Sequence, residues 1–60
     1  MAGRFDLFQD KAGKYRFNLK AANGQVIATS QAYESKSAGL NGIDSVRRHA
    51  PDAVIVEREQ

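Results

Sequence analysis

Four residues at two-residue spacing, Lys14, Arg16, Asn18 and Lys20, form the clearest chemical pattern in this 60-residue chain. Alternate side chains of an extended strand share a face, so the set lines one side of a sheet. Arg4 and Phe8 fall beside it on a neighbouring strand. Cations with an aromatic ring on a sheet face are the format of a single-strand nucleic-acid platform, where charges meet phosphates and the ring stacks on a base. Asp6 intrudes on this patch, and a single ring is few for stacking. The same pattern describes a solvated antiparallel face kept soluble by long charged side chains. We adopt the solvated face, with a weak single-stranded nucleic-acid binder as the alternative.

A second cluster, Ser30, Tyr33, Ser35 and Lys36, gathers three hydroxyls and a cation where a strand hands over to a helix. Unpaired N–H groups at a helix start favour a small anion there. The plainer account makes Ser35 an N-cap and Tyr33 a core residue with a satisfied hydroxyl. Lys36 and Arg47 fall within the angular range of the helix's apolar stripe, where long stems cover apolar surface and the heads reach water. Asp44 is spaced to pair with Arg48 at i,i+4 or with Arg47 at i,i+3.

His49 is the one histidine and stands at the helix end, where the helix dipole favours its charge. No nucleophile flanks it, so a general base is not expected. Tyr33 and Lys36 lack the spacing of a dehydrogenase pair, and no dinucleotide domain fits this length. The chain has no cysteine, Gly-rich phosphate loop, carboxylate dyad or metal-ligand spacing. Catalytic residues, cofactors and metals are therefore all expected to be none.

The elements that position these residues follow from periodicity. Residues 5–9 alternate as a first strand, with Phe5 and Leu7 on one face and Asp6 and Phe8 on the other. Asp10 to Gly13 reads as a turn, with Gly13 suited to a left-handed position. In residues 14–20, Tyr15, Phe17 and Leu19 oppose the cations. Asn23-Gly24 predicts a type I′ turn into a third strand over residues 25–30. Ser35 caps a helix over residues 36–49 that Pro51 stops. Gly39, Leu40, Ile43, Val46 and Ala50 form its apolar stripe, and Gly39 there suggests close approach to the sheet. Ala53-Val54-Ile55-Val56 reads as a fourth strand, apolar on both faces.

The expected fold is α+β: one domain over residues 1–60, an antiparallel meander plus one helix and a C-terminal strand, in the order β-β-β-α-β. The expected core holds Phe5, Leu7, Tyr15, Phe17, Leu19, Val26, Leu40, Ile43, Val46, Val54 and Val56. Either Val26 with Ala28 or Ile27 with Thr29 faces inward. A chain this short buries only about 60% of its unfolded surface. Without disulfides or a metal, its expected staple is a partner subunit. The fourth strand, apolar on both sides, needs a neighbour and cover that one meander and one helix supply poorly.

Nine Lys and Arg against seven Asp and Glu leave a net charge of +2, mild for a dedicated duplex-DNA binder. The N-terminus has no apolar core of a secretory signal, and no apolar run approaches the ~18 residues of a membrane span. A cytoplasmic protein with no membrane partner is expected.

Residues 8–17, residues 19–30 with their Ala21-Ala22-Asn23-Gly24 block, Tyr33 to Lys36, and Leu40-Asn41-Gly42-Ile43-Asp44-Ser45-Val46 together resemble the YegP-like family, small bacterial proteins of uncharacterised function. The resemblance covers nearly the whole chain. It implies a β-β-β-α-β unit, found singly or as tandem repeats, in which two units share one sheet and exchange C-terminal strands. For a chain with one unit it implies a homodimer, with the last strand pairing across subunits and both helices on one face. It implies no catalytic residues.

Overall fold

The computed structural model describes residues 2–59. Three strands, β1 (Arg4–Gln9), β2 (Tyr15–Lys20) and β3 (Val26–Thr29), make one antiparallel sheet in the order β1-β2-β3. The helix α1 (Lys36–His49) follows, and a 3-10 turn, Ala50–Asp52, ends the regular structure. The α+β meander with one helix is as expected.

The β1–β2 register pairs Leu7 with Phe17 and Phe5 with Leu19, so the apolar side chains of both strands share the inner face. Phe17 is the large apolar residue at the centre, 6% exposed, with Phe5 edge-on to its ring at 5.7 Å and Tyr33 stacked on it at 6.1 Å. Phe5, Leu7, Tyr15, Leu19, Ile43 and Val46 are only half-buried around it. Tyr33 is tied to β2 by two backbone hydrogen bonds with Tyr15, each 2.8 Å.

Both hairpin turns differ from the simplest two-residue form. Gly24 N–H donates to Ala21 O, Ala21 N–H donates to Gln25 O, and only Gly24 takes positive φ, at 90°. A type I′ turn would need Asn23 in the left-handed region as well. The connection is instead a three-residue loop with a left-handed glycine closing it. Asn23 contributes through its side chain, whose Oδ1 accepts from Gln25 N–H at 3.0 Å. Asp10 to Lys14 repeats the design, with Gly13 at φ 83° as its spacing suggests.

The helix starts where the sequence places it. Ser35 is extended and its hydroxyl accepts from Ala38 N–H at 3.1 Å. Its close approach to the sheet runs through two glycines. A Cβ on Gly39 would stand 3.2 Å from a Leu7 methyl, and one on Gly42 only 2.4 Å from the Tyr33 hydroxyl. This line of contact puts Leu40, 100° round the helix from Gly39, at the margin of the packed face. Leu40 is accordingly 48% exposed rather than a core residue.

Three other expected core residues are also exposed. A bulge between β2 and β3 sets Val26 opposite Lys20 on the outer face, while Ala28 pairs with Leu19 on the inner one. Neither simple alternation of β3 survives this bulge. Val54 and Val56 lie in a segment that makes no strand in the single chain: residues 53–59 carry no regular structure and are exposed throughout.

Candidate functional site

On the outer face the predicted cations are present, and each has a carboxylate. Lys20 Nζ lies 2.8 Å from Asp6 Oδ2, and Arg4 Nε lies 3.0 Å from Asp6 Oδ1. Arg16 Nε meets Asp10 Oδ2 at 2.8 Å, and Lys14 pairs with Glu34. Asn18 sits between Asp6 and Thr29 in the ladder. Phe8 stands across from Arg16, 39% exposed. A phosphate landing on Lys14, Arg16 or Lys20 would have to displace a bound carboxylate. The face has the geometry of a platform and the electrostatics of a solvated, self-neutralised sheet.

Asp10 does most to organise it. One carboxylate oxygen accepts from the N–H groups of Ala12 and Lys14, both at 3.0 Å, and the other accepts from Arg16. The Arg16 bond, foremost, and then the two backbone donors hold this carboxyl below its ordinary value. The Lys20 bond, with help from Arg4, does the same for Asp6. A folded-state pKa below the unfolded one means stability that is whole above about pH 4 and is lost as pH falls through the depressed value. Replacing Asp10 with Asn should therefore lower the urea midpoint at neutral pH and flatten the acid limb of a pH–stability curve. An unchanged acid limb would show that the carboxylate is not the group that titrates.

The hydroxyl cluster does not converge. Ser30 Oγ accepts from Phe17 N–H at 2.9 Å and donates to Gln31 O at 2.7 Å. Ser35 Oγ is used by the helix cap, and the Tyr33 ring lies in the core between Phe17 and Gly42. Lys36 is exposed on the helix flank, as is Arg47. Asp44 pairs with Arg48 at 2.9 Å, choosing the i,i+4 partner. His49 Nδ1 lies 2.8 Å from the Ser45 carbonyl, which fixes the ring's proton on that nitrogen as a donor. Among the described residues no group of three or more His, Cys, Asp or Glu comes together as a metal site, and no helix is long and apolar enough to cross a membrane.

What the sequence did not single out is a cleft. The helix covers the Leu7–Phe17 end of the inner face and leaves the Phe5–Leu19–Ala28 row open. The result is an apolar hollow of about 230 Å³ lined by Phe5, Phe17, Leu19, Ala28, Tyr33 and Val46, with Thr29, Ser30 and Gln31. Beside it runs β3, exposed at all four residues and bonded on one side only. A larger hollow of about 460 Å³ is bounded by Glu57, Arg58 and Glu59 alone, three neighbouring tail residues that do not enclose a ligand.

Comparison with known proteins places this arrangement. Residues 10–57 match the family described as a domain of unknown function, DUF1508. The chain belongs to the DUF1508 family. A UPF0339 protein of Treponema denticola is 60% identical over 57 residues, covering 95% of this chain and 98% of that one. The UPF0339 protein YegP of Yersinia pestis is 45% identical over 49 residues, in agreement with the resemblance noted above. That match covers 82% of this chain but 44% of YegP, so this DUF1508 chain spans about half the length of some relatives and nearly all of others. A solution structure of a protein from Haloferax volcanii superposes with a TM-score of 0.85 at 41% identity, covering 95% of this chain and 97% of that one. Haloferax is an archaeon, so the DUF1508 fold extends beyond the bacteria.

Proposed function

We propose that this DUF1508 chain is a non-catalytic interaction module that works as a homodimer, in which each copy lends residues 53–56 to the other as a fourth strand. One observation carries this. The open apolar cleft and free β3 edge of the chain are matched by an orphan apolar segment, with Val54 at 81%, Ile55 at 96% and Val56 at 66% exposure. A run of β-branched apolar residues left in water is a strand without its sheet.

Two further facts support it. Phe17 is the one large apolar side chain that the described chain buries fully, a thin core for 60 residues. Relatives of about twice this length have room for two such units in one polypeptide, which a homodimer would reproduce with two chains. Binding, rather than chemistry, is the role that fits a surface with no convergent polar site, and the cytoplasm is the expected setting. The nucleic-acid alternative finds less support, because Lys14, Arg16 and Lys20 are already neutralised.

Sedimentation equilibrium across a range of concentrations tests the assembly. A mass twice that of the chain is expected. A well-folded monomer at every concentration would overturn it.

A further inference from the structure

The dimer reading raises a question that the chain itself answers: why should residues 53–56 not fill their own cleft? A tethered segment meets its own site at an effective concentration of about a millimolar. At micromolar protein, closure within one chain would outcompete exchange by roughly a thousandfold if the connection allowed it. An exchanged dimer therefore requires a connection that forbids return.

The connection is short and shaped. Val46, one helical turn before the end of α1, lines the cleft. The helix runs directly into the Ala50–Asp52 turn, with Ala50 still in the helical region and its N–H bonded to Val46 O. Pro51 opens the turn, and Ala53 N–H closes it on Ala50 O at 3.1 Å. To reach the cleft of its own chain, the segment would have to double back from the helix end toward Val46. All four linking residues, Ala50 to Ala53, are occupied in making the turn, and Pro51 has a fixed φ. Short linkers of this kind favour exchange, and lengthening them favours the closed form.

Resting on the dimer reading, we infer that the Ala50–Asp52 turn is a hinge that bars residues 54–56 from their own cleft and so makes the exchanged dimer the resting form. The occupant of each cleft is the segment of a second copy of this chain. The hinge converts a monomer-sized fold into one that is completed only in pairs.

The test compares the full chain with a variant carrying Gly-Ser-Gly-Ser between Asp52 and Ala53, and with Pro51→Gly, which keeps the length. Sedimentation equilibrium gives the mass, and amide exchange reads protection at residues 54–56. The expected result is a dimeric parent, with the insertion raising the apparent dimer Kd about a hundredfold or more while protection persists. The Pro51→Gly change should move the same way by less. An insertion variant as dimeric as the parent would overturn the hinge and leave the dimer standing. Monomers with unprotected segments would also overturn it, since the insertion would then only have undone strand docking. A monomeric parent would instead overturn the dimer itself.

Discussion

Val54→Asp combined with Val56→Asp is expected to abolish self-association at micromolar protein and to leave a chain of greatly reduced stability. Both side chains are exposed in the single chain, so nothing within one copy explains a loss. In the exchanged dimer each would be buried, at about 1.5 kcal/mol or more per valine. With two such residues from each copy, association weakens by about 6 kcal/mol, roughly four decades in Kd. Burying the new carboxylates would cost more again. Removing residues 53–60 should do at least as much. Mass by sedimentation and urea midpoints read the two effects separately. Double-mutant behaviour identical to the parent would show that the segment is a solvent-exposed tail.

Gly42→Ala is expected to destabilise the fold by about 1–2 kcal/mol, although alanine is the better helix former by about 1 kcal/mol. The new methyl would fall 2.4 Å from the Tyr33 hydroxyl, 2.7 Å from its ring carbon and 3.2 Å from Phe17. Tyr33 cannot swing aside cheaply, because its ring is stacked on Phe17 and its backbone is bonded to Tyr15. For a domain of this size the change corresponds to a fall in Tm of about 4–8 °C per kcal/mol. Gly39→Ala makes the contrast. Its methyl would meet the end of the flexible Leu7 side chain at 3.2 Å, and the effect should be small. Tyr33→Phe should soften the Gly42→Ala penalty, with a coupling of about 0.5 kcal/mol or more in a double-mutant cycle. A stabilised Gly42→Ala variant would mean that the helix stands further from the sheet than described.

The elements governed by local periodicity were legible in the sequence. Tyr15, Phe17 and Leu19 against Arg16, Asn18 and Lys20 define β2 and its two faces, and Ser35 marks the start of α1. Gly39 on the apolar stripe announced the close helix–sheet approach. Long-range features were less so. Gly42 looked like a helix-weakening residue, because its partner, the Tyr33 ring, comes from nine positions earlier through a path set by the Tyr15 bridge. Asn23-Gly24 suggested a type I′ turn, but the Asn23 side chain stabilises the three-residue alternative by accepting from Gln25. The bulge that turns Val26 outward leaves no mark in a two-residue alternation. The cation pattern was visible, whereas its neutralisation depends on Asp6, Asp10 and Glu34 arriving from other elements. The cleft was invisible for a related reason: it is the part of the inner face that one helix of this length leaves uncovered.

The same physical fact explains the apolar excess of residues 53–56 and the thinness of the single-chain core. A sequence that commits Val54, Ile55 and Val56 to a strand without supplying the sheet has half of a packing arrangement. Two copies supply the whole of it, and the Ala50–Asp52 turn keeps each half directed outward.

The measurement that addresses this most directly is an isotope-filtered NOE experiment on a mixture of labelled and unlabelled chains, refolded together. Contacts should appear between the methyl groups of Val54, Ile55 and Val56 on one copy and the side chains of Phe5, Leu19 and Val46 on the other. If those methyl groups touch only residues of their own chain, or none at all, the exchanged strand does not exist.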